Sequence, residues 1–164
     1  MPRKSRRLLG ETVCHHMVQG INKEEIFKTE DNKEKYIELL KKYYKKFKID
    51  IIAYCIMDNH VHMLLYANDI KQISNFMKNI NSIYAMYYNK KTDRVGYVFR
   101  NRFKSVPIMD RKQLYTCIKY IHMNPVKAGK VKEESDYRYS SYNDYFYKEH
   151  FSLKSDCQRN FYSI

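Results

Sequence analysis

The chain has 164 residues, of which 44% are hydrophobic and 30% are charged. This length supports one hydrophobic core and is too short for two ordinary domains, and the composition excludes wholesale disorder. We therefore expect a single domain over residues 1–164. Lys and Arg number 31 against 18 Asp and Glu, a formal net charge of +13. This excess favours a nucleic acid as the partner over the alternative, a Lys-rich solvated surface.

The cysteines and the apolar segments bear on the cellular compartment. Cys14, Cys55, Cys117 and Cys157 are widely spaced and include no C-x-x-C pair. This spacing argues against a zinc knuckle and a disulfide framework, and it favours reduced thiols. The basic N-terminus is not followed by the apolar stretch of a secretory signal, and no apolar run has membrane-spanning length. We expect a cytoplasmic protein with no membrane partner.

The first predicted elements are a strand and a helix. β-branched residues within 12–19 predict a strand that ends at Gly20. Asp31 and Glu34 have the spacing of a capping box, and apolar side chains recur after them at helical spacing. The pattern therefore predicts a helix that runs to about Lys48.

Two further strands follow as a predicted hairpin. Residues 49–57 are rich in β-branched and apolar side chains, and residues 58–59 are typical of a tight turn. Residues 60–66 return as the partner strand. Because side chains alternate along a strand, His60 and His62 lie on one face.

A capped helix and a fourth strand are predicted next. Asn68 or Asp69 can cap the helix, which has an apolar stripe. The strand lies within residues 98–108 and alternates basic residues with phenylalanine, so one face can meet phosphates while the other packs. An ordinary amphipathic strand has the same pattern. The basic residues are Arg100, Arg102 and Lys104.

The last predicted helix starts near Asp110 and ends at Asn124, because Pro125 cannot continue it. Tyr120 and Asn124 are four residues apart and therefore share one helical face. This pair alone fits a packed tyrosine and a helix-terminating asparagine as well as it fits a functional site. Residues from 130 onward are polar and rich in Tyr.

The predicted order is β-α-β-β-α-β with an additional C-terminal helix that carries Tyr120. This is the ferredoxin-like (RRM-like) pattern of an α+β protein with an antiparallel sheet. Many unrelated functions use this fold, so the function has to be argued from the site. His60 and His62 can present two imidazoles to a metal from a rigid strand. Their spacing alone also fits two surface histidines.

Four segments together resemble the REP-associated tyrosine transposases, which belong to the single-tyrosine HUH (Y1) superfamily. The segments are Pro2-Arg3, residues 53–65 (AYCIMDNHVHMLL), residues 99–105 (FRNRFKS) and residues 120–129 (YIHMNPVKAG). The resemblance is strongest over residues 1–145 and leaves residues 146–164 as a tail.

The resemblance implies a DNA-cutting enzyme. Tyr120 matches the family nucleophile, His60 and His62 match the ligands of a divalent metal (Mg²⁺ or Mn²⁺), and Asn124 stands at the third ligand position. The implied reaction is metal-dependent cleavage and transfer of single-stranded DNA beside hairpins, through a 5′-phosphotyrosine. The candidate DNA contacts are Arg3, Lys4, Arg6, Arg7, Arg100, Arg102 and Lys104.

Two other functions are consistent with the same residues. One is a non-catalytic nucleic-acid-binding module, and the other is a structural metal-binding protein. The intact set of Tyr120, Asn124 and the two histidines favours the enzyme. His122 is equally consistent with a structural and a functional role. The family includes dimers that exchange the tyrosine helix as well as monomers, so a homodimer and a monomer are both open, and residues after Gly129 can fix that helix in cis.

Overall fold

The computed structural model describes residues 12–100 and 104–145. They form a four-stranded antiparallel sheet with three helices, which confirms the predicted α+β class. The elements are β1 (Thr12–Gln19), α1 (Glu30–Tyr43), β2 (Asp50–Ile56), β3 (His60–Ala67), α2 (Ile70–Thr92), β4 (Lys104–Pro107) and α3 (Arg111–Lys127). Across these two ranges no helix is long and apolar enough to cross a membrane.

The strands lie in the order β2-β3-β1-β4, and each neighbouring pair is antiparallel. β3 is therefore inserted between β1 and β2, which are joined through α1. β1 is likewise inserted between β3 and β4, which are joined through α2. β1 has the bounds that the sequence predicts, and the chain order of strands and helices is the predicted one.

The sheet has one face that matters for the site. β3 is central and almost fully buried, and His60 and His62 point to the same side of it. We call this side the histidine face. Met17 of β1 pairs with both His62 and Lys104, so these three side chains share the histidine face. α3 packs against β2 and β3 on this face, whereas α2 packs against β3 from the opposite side.

α1 differs from its predicted bounds at both ends. Thr29 is the N-cap, and its Oγ1 accepts a hydrogen bond from the Asn32 N–H at 3.3 Å, so the predicted start of the helix at Asp31 was wrong. The helix ends at Tyr43 rather than near Lys48. Lys48 has a φ of 54°, which helices do not allow, and half-buried Phe47 prolongs the apolar spacing beyond the last helical turn.

α2 begins as predicted, whereas β4 is shorter than predicted. Asp69 caps α2 in a reciprocal capping box with Gln72. Of the predicted fourth strand, residues 104–107 form β4, and Phe99 pairs with Gly20 in an isolated bridge. Residues 101–103 lie outside the described ranges.

α3 continues through Pro125 to Lys127, so the predicted end at Asn124 was wrong. Proline cannot donate the backbone bond that Ile121 O would normally accept. The Asn124 side-chain amide donates to Tyr120 O at 2.9 Å and to Ile121 O at 3.4 Å, which compensates for the missing donor. Pro125 is also buried, so packing holds the last turn in place.

Residues 130–145, which we call the C-terminal segment, fold back along the edge of β2. The Ile56 N–H donates to Tyr139 O, and the Ser141 N–H donates to Tyr54 O, each at 2.9 Å. The Tyr137 hydroxyl donates to Ile56 O at 2.6 Å. The segment thus covers an edge that would otherwise expose unpaired backbone groups. Its ordered packing did not follow from the polar, Tyr-rich sequence.

Candidate active site

The histidine pair lies at the beginning of β3. The centroids of the His60 and His62 rings are 4.9 Å apart. His62 is only 4% exposed, whereas His60, at the strand end, is partly exposed. Strand alternation and the buried residue Val61 between them therefore hold two imidazoles side by side on a rigid element.

His60 is held in a defined protonation state. Its Nδ1 lies 2.5 Å from the Asn59 side-chain oxygen, which can only accept, so Nδ1 carries the proton and donates. Burial lowers the pKa of His60, although the nearby Asp58 carboxylate opposes this effect. A neutral ring with its proton on Nδ1 has its lone pair on Nε2, the atom that can bind a metal.

His62 forms a hydrogen bond with a third histidine. Its Nδ1 lies 3.0 Å from His15 Nε2, and the two rings stack with centroids 5.1 Å apart. Burial lowers the pKa of His62 to about 3, and the neighbouring His60 and His15 contribute further. His62 is thus a neutral imidazole near pH 7, the form in which histidine binds metals.

Tyr120 lies against this cluster from α3 of the same chain. Its ring centroid is 5.4 Å from that of His62 and 5.9 Å from that of His15, and its side chain is 43% exposed. A neighbouring face of α3 is buried in the core through Leu114, Cys117 and Ile121. The structure thereby brings an accessible phenol next to the histidine pair within one subunit.

Asn124 and Lys127 lie one and two turns after Tyr120. The Asn124 amide nitrogen is used within α3, as described above, which leaves its side-chain oxygen as the atom able to bind a cation. Lys127 Nζ lies 5.2 Å from the centroid of the Tyr120 ring. A positive charge therefore accompanies the exposed phenol.

The donor set fits a divalent metal only in part. Within residues 12–100 and 104–145, no three His, Cys, Asp or Glu side chains are close enough together to hold a metal. His60 and His62 are neutral neighbours, and the Nδ1 of each is engaged. These two imidazoles and the Asn124 oxygen are donors that Mg²⁺ or Mn²⁺ accepts, with water or phosphate oxygens completing the shell.

Two of the predicted DNA contacts lie on the open side of the sheet. Lys104 and Arg100 are both exposed. Lys104 is separated from His62 by Met17, and the Arg100 N–H donates to the carbonyl of Gln19, which pairs with His60. Each basic residue is thus two strand spacings, about 10 Å, from the histidine pair. Arg3, Lys4, Arg6, Arg7 and Arg102 lie outside the described residues.

His122 lies away from this cluster. It is buried, its Nε2 meets Ser141 Oγ at 2.9 Å, and burial lowers its pKa to about 4. Of the two roles left open for His122, this geometry favours the structural one, because the residue joins α3 to the C-terminal segment.

His15 and Lys127 were not assigned to the site from the sequence. His15 is 47 residues from His62, and only the pairing of β1 with β3 brings them together. The sequence offered one indication: His15 lies on the predicted first strand, two residues before Met17, and therefore on the same face as Met17. Lys127 is seven residues after Tyr120, a spacing that returns to the same helical face.

Comparison with known proteins identifies the family of this chain. A sequence model of the family described as "Transposase IS200 like" matches residues 11–124. The chain belongs to this family. This membership confirms the predicted relationship and the enzyme class, a tyrosine transposase of the HUH type.

Individual relatives point the same way. A Haemophilus influenzae protein described as a REP-associated tyrosine transposase is 28% identical over 122 residues, which cover 66% of this chain and 69% of the relative. A REP-associated tyrosine transposase solved with a REP hairpin shares the fold, with a TM-score of 0.69 and 17% identity over 95% of this chain and 92% of that one. A Deinococcus radiodurans protein described as a transposase has a TM-score of 0.51 and 15% identity over 72% of this chain and 96% of that one.

Proposed function

We propose that this transposase cuts and rejoins single-stranded DNA beside hairpins, with Tyr120 as the nucleophile. The observation that carries the proposal is the distance of 5.4 Å between the ring centroids of Tyr120 and His62. Tyr120 is also 43% exposed, so a DNA strand can reach it beside two neutral imidazoles. The relative bound to a REP hairpin supports a hairpin substrate.

We propose that His60, His62 and Asn124 hold Mg²⁺ or Mn²⁺ through the Nε2 atoms and the amide oxygen. When bound, such a metal stabilises charge on the scissile phosphate and on the leaving oxygen. The chain itself contributes the low dielectric around His62 and the rigid strand that fixes both rings. Protons do not compete for His62 near pH 7, because burial lowers its pKa to about 3.

The proposed reaction has two balanced steps. In the first, the Tyr120 oxygen attacks phosphorus and loses its proton to solvent, while the bond from phosphorus to the 3′ oxygen breaks and that oxygen takes up a proton. The products are a 5′-phosphotyrosine and a free 3′-hydroxyl. In the second, the 3′-hydroxyl of another DNA end attacks the same phosphorus and loses its proton to solvent, while the bond from phosphorus to the Tyr120 oxygen breaks and that oxygen takes up a proton. The Lys127 ammonium lies where it can accompany the phosphate on Tyr120.

The open half of the histidine face is the proposed path of the DNA. α3 covers β2 and β3, whereas Lys104 on β4 and Arg100 before it are exposed.

We assign the fold, one domain over residues 1–164, to the ferredoxin-like class, because strand order and connections match it.

Substitution of Lys104 tests the proposed path of the DNA. Lys104→Ala is expected to lower the salt slope of DNA binding by about one. Lys132→Ala serves as the control, because Lys132 is an exposed lysine on the C-terminal segment. An unchanged slope removes Lys104 from the path.

Tyr120 and the histidines of the proposed site lie together within one chain. Tyr120 lies against His15 and His62 of its own subunit, and the C-terminal segment joins α3 to the edge of β2. We therefore favour a monomer with a cis site over a dimer that exchanges α3. Mixing Tyr120→Phe with His62→Ala tests this point, because only a trans site regains activity in the mixture.

We propose that the protein acts in the cytoplasm, because a DNA substrate and buried free cysteines are consistent with that compartment.

A covalent adduct assay tests the proposed function. The protein is incubated with a panel of hairpin-bearing single strands and Mn²⁺, and the denatured products are separated on a gel. We expect an adduct that is absent in Tyr120→Phe and in His62→Ala. Tyr115→Phe is the matched control, because Tyr115 lies on the same helix and is 44% exposed.

Two other outcomes identify the alternatives. Tight hairpin binding without an adduct under any condition indicates a non-catalytic DNA-binding module. Mn²⁺ binding that depends on His60 and His62, without DNA binding, indicates a structural metal protein. An adduct that survives Tyr120→Phe and disappears in Tyr115→Phe contradicts the assignment of the nucleophile.

A further inference from the structure

His15 occupies a position between the two halves of the candidate site. It lies on β1 opposite Leu64, on the histidine face of the sheet. Its ring stacks on His62 at 5.1 Å and meets the edge of Tyr120 at 5.9 Å. Its Nε2 is 3.0 Å from His62 Nδ1, a hydrogen-bond distance between two ring nitrogens. His15 is therefore in direct contact with a proposed ligand and with the proposed nucleophile.

The hydrogen bond between two neutral imidazoles contains one proton, and its position decides what His62 can do. If His15 donates from Nε2, then His62 accepts at Nδ1 and carries its own proton on Nε2, where no metal can bind. If His62 donates from Nδ1, its Nε2 keeps the lone pair that a metal needs. Both arrangements satisfy the same 3.0 Å contact.

We propose that His15 is a positioning residue that accepts the Nδ1 proton of His62, fixes the plane of its ring and keeps its Nε2 available for the metal. The inference rests on the proposed metal site. It gives His62 the partner that Asn59 gives to His60, since each ligand ring then donates Nδ1–H to a fixed acceptor. Acceptors of this kind orient histidine ligands and raise their basicity.

The side chains around His15 are compatible with acceptance at its Nε2. Among residues 12–100 and 104–145, the side chains shown to interact with it are His62 from β3, Tyr120 from α3 and Lys104 from β4. Lys104 pairs with Met17, two residues after His15, so its positive charge lies on the same face of the sheet.

Substitution of His15 tests the inference through metal affinity. His15→Phe keeps a ring for packing and removes the acceptor, whereas His15→Gln offers an amide oxygen in the region of Nε2. Calorimetric titration of the full chain with Mn²⁺ is expected to give about 10–100-fold weaker binding for His15→Phe. Binding by His15→Gln should stay within about threefold of the parent, because the acceptor is restored. Equal affinity of the parent and His15→Phe overturns the proposal.

The metal-free parent protein supplies a second readout that needs no variant. The ¹⁵N shifts of the imidazoles report which ring nitrogen carries the proton, and we expect Nδ1–H on His62. A proton on His62 Nε2 overturns the proposal even if metal binds. Failure of the metal site itself is recognised separately, because Mn²⁺ affinity is then unchanged in His60→Ala and His62→Ala.

Discussion

Ser141 joins the C-terminal segment to both α3 and β2, and its removal should be costly. Its side chain is 0% exposed. Its Oγ accepts from the Tyr54 N–H at 2.9 Å, donates to Tyr54 O at 3.3 Å and meets His122 Nε2 at 2.9 Å. Ser141→Ala removes a hydrogen bond from two buried groups, the Tyr54 N–H and the His122 imidazole.

The expected loss follows from these two groups. A buried group that loses its partner costs about 1–3 kcal/mol, so the free energy of unfolding should fall by about 2–6 kcal/mol. For a chain of this size that corresponds to a melting temperature lower by about 4–24 °C. Urea unfolding followed by circular dichroism measures the free energy, and thermal unfolding measures the shift.

The matched control is Ser135→Ala, since Ser135 is an exposed serine of the same segment. Its free energy of unfolding should change by less than about 0.5 kcal/mol. If Ser141→Ala is as mild as this control, the C-terminal segment does not hold α3 against β2. The cis site would then be supported only by the contact of Tyr120 with His62.

Two further variants probe the packing around the site and the pH dependence of stability. Gly20→Ala places a Cβ atom 2.4 Å from the Glu24 carbonyl oxygen. This substitution should lower the free energy of unfolding, measured by urea titration, by about 1–3 kcal/mol. An unchanged free energy contradicts the close approach of the two backbones beside Asn59. Burial lowers the pKa of His122 to about 4, below its ordinary value of 6.5, so the unfolded chain takes up a proton before the folded chain does and stability is lost as the pH falls from 6.5 to 4. Relative to His122→Gln, the wild type should lose about 3 kcal/mol over this range, and parallel pH profiles of the two proteins would refute the assigned cause.

Local signals predicted the elements that local chemistry determines. The bounds of β1, the Asp69 cap and the Asp110 cap follow from β-branched residues and from side chains that bind the first turn of a helix. The common face of His60 and His62 follows from strand alternation, which the pairing of β3 preserves. Tyr120 was found through the resemblance of the chain to a family, because no local pattern distinguishes it from the other tyrosines among the 17.

The remaining features depend on contacts between distant residues. α3 passes Pro125 because the Asn124 amide supplies donors to the carbonyls before it, an arrangement that proline rules alone do not predict. The C-terminal segment is ordered because its backbone pairs with the free edge of β2. His15 joins the site only after β1 and β3 pair in one register, in which it lies opposite Leu64. The local sequence pattern of each single element contains none of this information.

The most direct test of the central claim is to identify the residue that carries the DNA. The adduct formed with a hairpin-bearing single strand and Mn²⁺ is digested with nuclease and protease, and the nucleotide-bearing peptide is sequenced by mass spectrometry. The proposal predicts a 5′-phosphate ester on Tyr120 and none on Tyr115, although both tyrosines are similarly exposed on α3. A nucleotide on any other residue, or no nucleotide-bearing peptide with substrates that the protein binds, contradicts the claim.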